Sequence, residues 1–188
     1  FYTDYGTKLQ KRFFDHFLKG VDNGWEKSPR VRLQVRHIDG SFVERMEDEW
    51  PLSRTRWTKY YLNLHDAQLS SKPIATEHTL AYEAVGDGVT LRMPTLAETL
   101  EITGPIAARL FISSATRDAD LFLIVRLFDP NGSEITFQGA LDPNTPLAQG
   151  WLRASHRKLD PEKSLPYRPY HTHDEYQPLN PGEVLSLI

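Results

Sequence analysis

The sequence predicts a mainly β domain of the sandwich type preceded by one helix, and three observations point that way. Residues Ile106 to Ser114 alternate, with Ile106, Ala108, Leu110 and Ile112 on one face and Arg109 and Ser113 on the other, the period of a half-buried strand. Leu121 to Phe128 is apolar on both faces. Leu121, Leu123, Val125 and Leu127 share one side, Phe122, Ile124 and Phe128 the other, and only Arg126 interrupts; such a strand needs cover on both sides. Gly104-Pro105 and Asp129-Pro130-Asn131-Gly132 bound these runs, with Pro and Gly where turns need a fixed or positive φ.

Taken in order, the chain opens with a helix over Thr7 to Leu18: Leu9, Phe13, Phe17 and Leu18 recur at helical spacing between charged residues, Phe14 widens the stripe, and Gly20 is a stop signal. Val21 to Pro29 reads as a linker. Arg30 to Ile38 alternates, with Val31, Leu33 and Val35 opposite Arg30, Arg32 and Arg36. Gly40-Ser41 turns the chain into the acidic run Glu44, Glu47, Asp48 and Glu49, expected as a surface loop that pairs with those arginines. Trp57 to Leu64 reads as a strand, and His65 to His78, polar and without period, as an exposed insertion or linker. Leu80 to Tyr82 and Val89 to Met93 flank Gly86-Asp87-Gly88 as two further strands about a turn. Glu134 to Gly139 is expected to return as the hairpin partner of the strand before Asp129.

From Leu141 to Pro181 the prolines at 143, 146, 161, 166, 169, 178 and 181 argue against continuous helix or central strand. Trp151 to Arg157 inside it is not linker composition, so this excursion is expected to lie on a surface that orders it. Val184 to Ile188 reads as a last strand. The chain opens on Phe1 and stops within that strand pattern, from which the expectation is a piece of a longer protein.

The 188 residues suffice for a real core. A formal charge of −3 gives no electrostatic reason to expect nucleic acid or an anionic membrane as partner. With no cysteine, disulfides and thiolate chemistry are excluded. No apolar stretch reaches membrane-helix length and no signal-peptide pattern opens the chain, so a cytoplasmic place is expected. Oligomeric state is left open.

Motifs that carry chemistry are scarce. G-x-S-x-G, Walker A, G-x-G-x-x-G and H-E-x-x-H are all absent. His171-Thr172-His173-Asp174-Glu175 holds imidazole and carboxylate groups, but no third ligand at a fitting spacing, and reads as a hydrogen-bonded loop. Asp118 and Asp120 with Thr116 read as turn-bonding residues rather than a calcium arm. Ser155, His156 and Asp160 have the residue types of a triad. Adjacent Ser and His side chains on an extended chain point apart, so this order does not place the hydroxyl on the imidazole. No catalytic residue, cofactor or metal is assigned.

The runs ITGPIAARLFISSATRDADLFLIVRLFDPNG, GWLRASHRKLDPEKSLPYRPYHTH and LNPGEVL, in that order, resemble the C-terminal domain of the X-Pro dipeptidyl-peptidase and cocaine-esterase-like (CocE/NonD) serine hydrolases. FFDHFLKG ahead of VRLQVR and EWPL resembles the end of that family's α/β-hydrolase domain. The resemblance implies a jelly-roll β-sandwich of the galactose-binding-like type over residues 30–188, incomplete at its C-terminus, with residues 1–29 as the closing helix and linker of a hydrolase domain. It also implies that the catalytic Ser, Asp and His lie in that domain, upstream of this chain. The partner is then the hydrolase domain, a small-molecule or peptide substrate meets the chain only through it, and the chain alone is expected to be inactive. Candidate interface residues are Phe13, Phe17, Phe122, Ile124, Phe128, Trp151, Arg153, His156 and Arg157. A second reading is an independent carbohydrate- or ligand-binding module, which needs Trp57, Trp151 or Tyr167 as an exposed stacking platform. A third, a self-sufficient hydrolase, would need Ser155 and His156.

Overall fold

The structure, a computed structural model, describes residues 3–188. It divides into two compact units that meet in sequence between Ser53 and Arg54. Among the described residues there are one α-helix, two short 3-10 turns and ten strands, so the chain is mainly β.

In the first unit, helix α1 runs Asp4–Lys19. It begins a turn earlier than the apolar spacing predicts because Thr3 caps it, its Oγ accepting the Gly6 amide at 3.2 Å. Gly20 ends it in the left-handed region at φ 65°. The Gly20 and Val21 amides there donate to the His16 and Asp15 carbonyls at 3.1 and 3.0 Å. Asp15 is salt-bridged by Lys11 and Lys19, each one turn away. Trp25, in a 3-10 turn, sets its ring edge-on to Phe13 with centroids 5.4 Å apart. Strands β1 (Val31–Arg36) and β2 (Phe42–Glu47) form an antiparallel hairpin, with Arg32 opposite Met46 and Val35 opposite Val43.

The hairpin corrects one expectation. Half of the acidic run is strand, not surface loop, because Phe42, Val43 and Met46 interleave with Glu44 and Glu47 in a pattern that can pair. Of those arginines Arg32 meets the acidic run, bridging Glu44 at 3.3 Å, and the Tyr5 hydroxyl also donates to Glu44.

The second unit holds β3 (Tyr61–Asn63), β4 (Gln68–Ser70), β5 (Leu110–Ile112), β6 (Asp120–Val125), β7 (Leu127–Phe128), β8 (Glu134–Ile135), β9 (Ala148–Arg153) and β10 (Leu185–Leu187). They pair antiparallel as β3 with β4, β5 with β10, β6 with β9 and β7 with β8. The β7–β8 hairpin is the one expected around Asp129 to Gly132.

Several strands differ from the sequence pattern. Residues 65–78 are not a plain insertion: Asn63 Oδ1 accepts the His65 and Asp66 amides at 3.1 and 3.2 Å and folds the chain back into β4. Leu80 to Tyr82 forms no strand, and Val89 to Met93 contributes a single bridge, Arg92 to Gln68. The Ile106 to Ser114 run is strand only over Leu110–Ile112, and the Leu121 to Phe128 run breaks at Arg126, whose guanidinium holds Glu134 through Nε at 2.9 Å and through Nη2. The largest departure is β9. The proline-rich excursion supplies the partner of β6, because residues 147–160 carry no proline and their amides are free to pair.

The core lies where β5–β10 meets β6–β9. Ala154, Leu179 and Leu187 are buried there, with Ile112, Ala119, Leu121, Leu152 and Leu185 packed around them.

Candidate functional site

Register decides which side chains share a face. In an antiparallel pair, directly opposite residues point the same way. On β6–β9, Leu121 opposite Leu152 turns to the core, so Asp120 opposite Arg153, Phe122 opposite Trp151 and Ile124 opposite Gln149 form the other face. That face is uncovered: Phe122 is 72% exposed, Trp151 74% and Ile124 59%. Two large rings side by side in water are an uncommon outlay for a small domain.

Charged groups frame these rings. Arg153 holds Asp120 in a two-pronged contact, Nε to Oδ1 at 2.7 Å and Nη2 to Oδ2 at 2.9 Å. The guanidinium bonds hold the Asp120 carboxyl below the usual carboxylate range, and the carboxylate in turn raises Arg153. Phe128, on β7, is 44% exposed with the Arg126 guanidinium 5.1 Å over its ring.

The remaining interface candidates fall elsewhere. Phe13 and Phe17 lie on α1, exposed, with centroids 4.7 Å apart. His156 ends the 3-10 turn Ala154–His156, half-buried. Arg157 turns inward to the Ala154 and Gln177 carbonyls, which makes it a fastener within the unit.

Ser155, the middle residue of this turn, is fully buried. Its hydroxyl donates to Asp118 Oδ2 at 2.6 Å and its amide to Asp118 Oδ1 at 3.0 Å. A buried hydroxyl engaged by a carboxylate is no exposed nucleophile, and the His156 ring faces His173 instead, Nδ1 to Nδ1 at 3.3 Å. Asp160 spends its carboxylate on the Glu162 and Lys163 amides at 2.9 and 3.1 Å. The three triad-type residues therefore do not form one.

Burial raises the Asp118 carboxyl, but the Ser155 hydroxyl and amide and the Ala119 amide outweigh it and hold the group below its ordinary value. Asp118 keeps the local turn bonding its sequence predicts, its Oδ1 accepting the Ala119 amide at 2.9 Å, while nothing in the spacing links it to Ser155.

A concavity of about 160 Å³ lies between the two core strand pairs, lined by Ile106, Ala108, Leu110, Leu121, Leu123 and Leu187 with His171 at its wall. His171 Nε2 is buried there with no hydrogen-bond partner. Burial, together with His173 nearby, pushes this imidazole down, with the Ile188 backbone pulling the other way. Of the three aromatics a carbohydrate module would need as a platform, Trp151 is exposed on the β6–β9 face, whereas two are engaged with each other. Trp57 and Tyr167 stack on each other, centroids 4.6 Å apart and planes 14° from parallel, so each covers a face of the other.

No three His, Cys, Asp or Glu side chains among the described residues are arranged to hold a metal ion. No described helix is long and apolar enough to cross a membrane.

The model of the X-Pro dipeptidyl-peptidase C-terminal non-catalytic domain matches residues 23–187. The chain belongs to this family. It is similar in fold to a third of a CocE/NonD family hydrolase from Staphylococcus aureus, with a TM-score of 0.80 and 26% identity over 99% of this chain and 34% of that one. A Mycobacterium bovis protein named as a candidate serine esterase is 26% identical over 94% of this chain and 31% of its own length. The cocaine esterase of a Rhodococcus species is 29% identical over 61% of this chain and 26% of its own length. The chain thus spans about a third or less of the relatives it matches, and what matches is the family's non-catalytic domain.

Proposed function

We propose that this chain is the non-catalytic β-domain of a serine hydrolase acting on esters or related acyl compounds, and that its β6–β9 face packs on the catalytic domain and helps wall the substrate pocket. The single observation that carries the docking is the Phe122–Trp151 pair with Ile124 beside it, apolar and uncovered on an ordered strand pair. Apolar surface of that kind gains about 25 cal/mol per Å² when covered, less the ordering costs of association. The Asp120–Arg153 pair at its edge supplies a polar rim that fixes register.

On this reading residues 1–29 close the hydrolase domain and 30–188 form a jelly-roll sandwich. Phe128 is a further packing residue of the β-domain, and Phe13 and Phe17 belong to the helix that closes the hydrolase domain. The names of the relatives, a serine esterase and a cocaine esterase, favour acyl transfer through a serine ester in the partner domain, with histidine as base and an oxyanion hole for the developing charge. The chain holds none of those groups in a usable arrangement, so its share is structural.

The test is made in the complete enzyme. Phe122→Asp and Trp151→Asp are expected to destabilise it by about 2 kcal/mol or more each, as at the centre of a buried interface, and to lower kcat/KM for an ester substrate. If both variants melt and turn over like the parent, the face is solvent-exposed in the enzyme and the docking reading fails.

A further inference from the structure

We propose that His156 and His173 form a two-imidazole clip for a divalent transition-metal ion of the zinc or copper class. Their Nδ1 atoms stand 3.3 Å apart. Two nitrogens each about 2.0–2.1 Å from a tetrahedral ion are separated by about 3.3–3.4 Å, so one ion fits between these rings with little rearrangement. The rings are tilted by 48° with centroids 5.6 Å apart, not stacked face to face.

Both ligands are held in place by the fold. His156 follows Ser155, which the Asp118 clasp fixes. His173 adopts a left-handed backbone at φ 54°. Two main-chain bonds pin the segment on either side of it, the Thr172 amide to the Lys158 carbonyl at 3.1 Å and the Gln177 amide to the Ser155 carbonyl at 2.9 Å. A ligand pair ordered before binding loses less entropy when the ion arrives. An imidazole-only donor set selects zinc, copper or nickel over magnesium and calcium, which take oxygen. No third side chain converges on the point, so water or an incoming ligand completes the coordination shell.

The alternative use of the same spacing is a hydrogen bond in which one neutral ring donates Nδ1–H to the other; the ion takes the place of that proton. The experiment separates the two. The full chain, stripped with a chelator, is titrated with zinc by calorimetry and with copper(II) by electron paramagnetic resonance. One saturable equivalent of zinc is expected, with a copper signal showing two coordinated nitrogens. His156→Asn and His173→Asn should each weaken zinc binding by at least about tenfold. The double variant His65→Asn/His78→Asn, which removes the chain's stacked histidine pair with centroids 4.9 Å apart, should leave it unchanged. The copper spectrum reads ligation in the parent chain and so does not depend on the variants folding. Absence of saturable binding, a spectrum without two nitrogens, or unchanged affinity in folded His173→Asn overturns the proposal. The outcome is independent of whether the Phe122–Trp151 face docks.

Discussion

At Ser155 a hydroxyl is held inside the fold by a carboxylate that a second bond from the same residue also engages. Hydrogen bonds to charged groups contribute about 1.5–3 kcal/mol net, and more is lost when the charged partner is left unpaired. Ser155→Ala should therefore cost about 1.5–3 kcal/mol in urea denaturation at pH 7. The pH dependence follows from the direction of the Asp118 shift. Its folded-state value lies below the unfolded one, so the stabilisation is present above the unfolded value of about 3.9 and is lost as pH falls through the folded value. The difference between parent and Ser155→Ala should accordingly shrink when the same titration is run near pH 3. A variant as stable as the parent at pH 7 would remove the clasp from the account. The adjacency of Ser155 and His156 already argues against a triad at 155–160, but what holds the hydroxyl instead is a residue 37 positions away, which no local spacing encodes.

Among the elements, α1 was the most legible, because its apolar spacing and Gly20 are signals carried within one segment. Gly20 sits at φ 65°, where a Cβ is unfavourable by about 1–2 kcal/mol. Gly20→Ala should lower the stability of the unit that contains it by that amount, read from its thermal or denaturant midpoint, and no change would mean that the helix end is not held as described. The strands were half legible. The faces of β5 and β6 and the turn between β7 and β8 followed from alternation and breaker residues. The hairpin of β3 and β4 did not, since Asn63 builds its turn with a side chain and not with a Gly or Pro marker. β9 was hidden for a different reason. Prolines on both sides coloured the whole segment as irregular, although 148–153 itself offers every amide to β6.

For the molecule as a whole, the exposed rings of β6–β9 set its behaviour. If they form a docking face, the chain on its own should bind a hydrophobic dye such as ANS, and Phe122→Ser with Trp151→Ser should reduce that fluorescence without shifting the unfolding midpoint by more than about 1 kcal/mol. Dye binding that ignores both substitutions would place the sticky surface elsewhere, for example at the groove beside His171. By itself the sequence determined that the chain is mainly β, where its helix stops, which residues line each face of β6, and that no nucleophile elbow is present. These are properties of periodicity and turn chemistry, written within a few adjacent residues. Only the tertiary structure decided that β9 is the strand that pairs with β6, that Trp151 stands beside Phe122, that Asp118 closes on Ser155, and that His156 meets His173. Each joins segments 17 to 37 residues apart, and such pairings are selected by the packing of the whole core, not by any stretch of chain read alone.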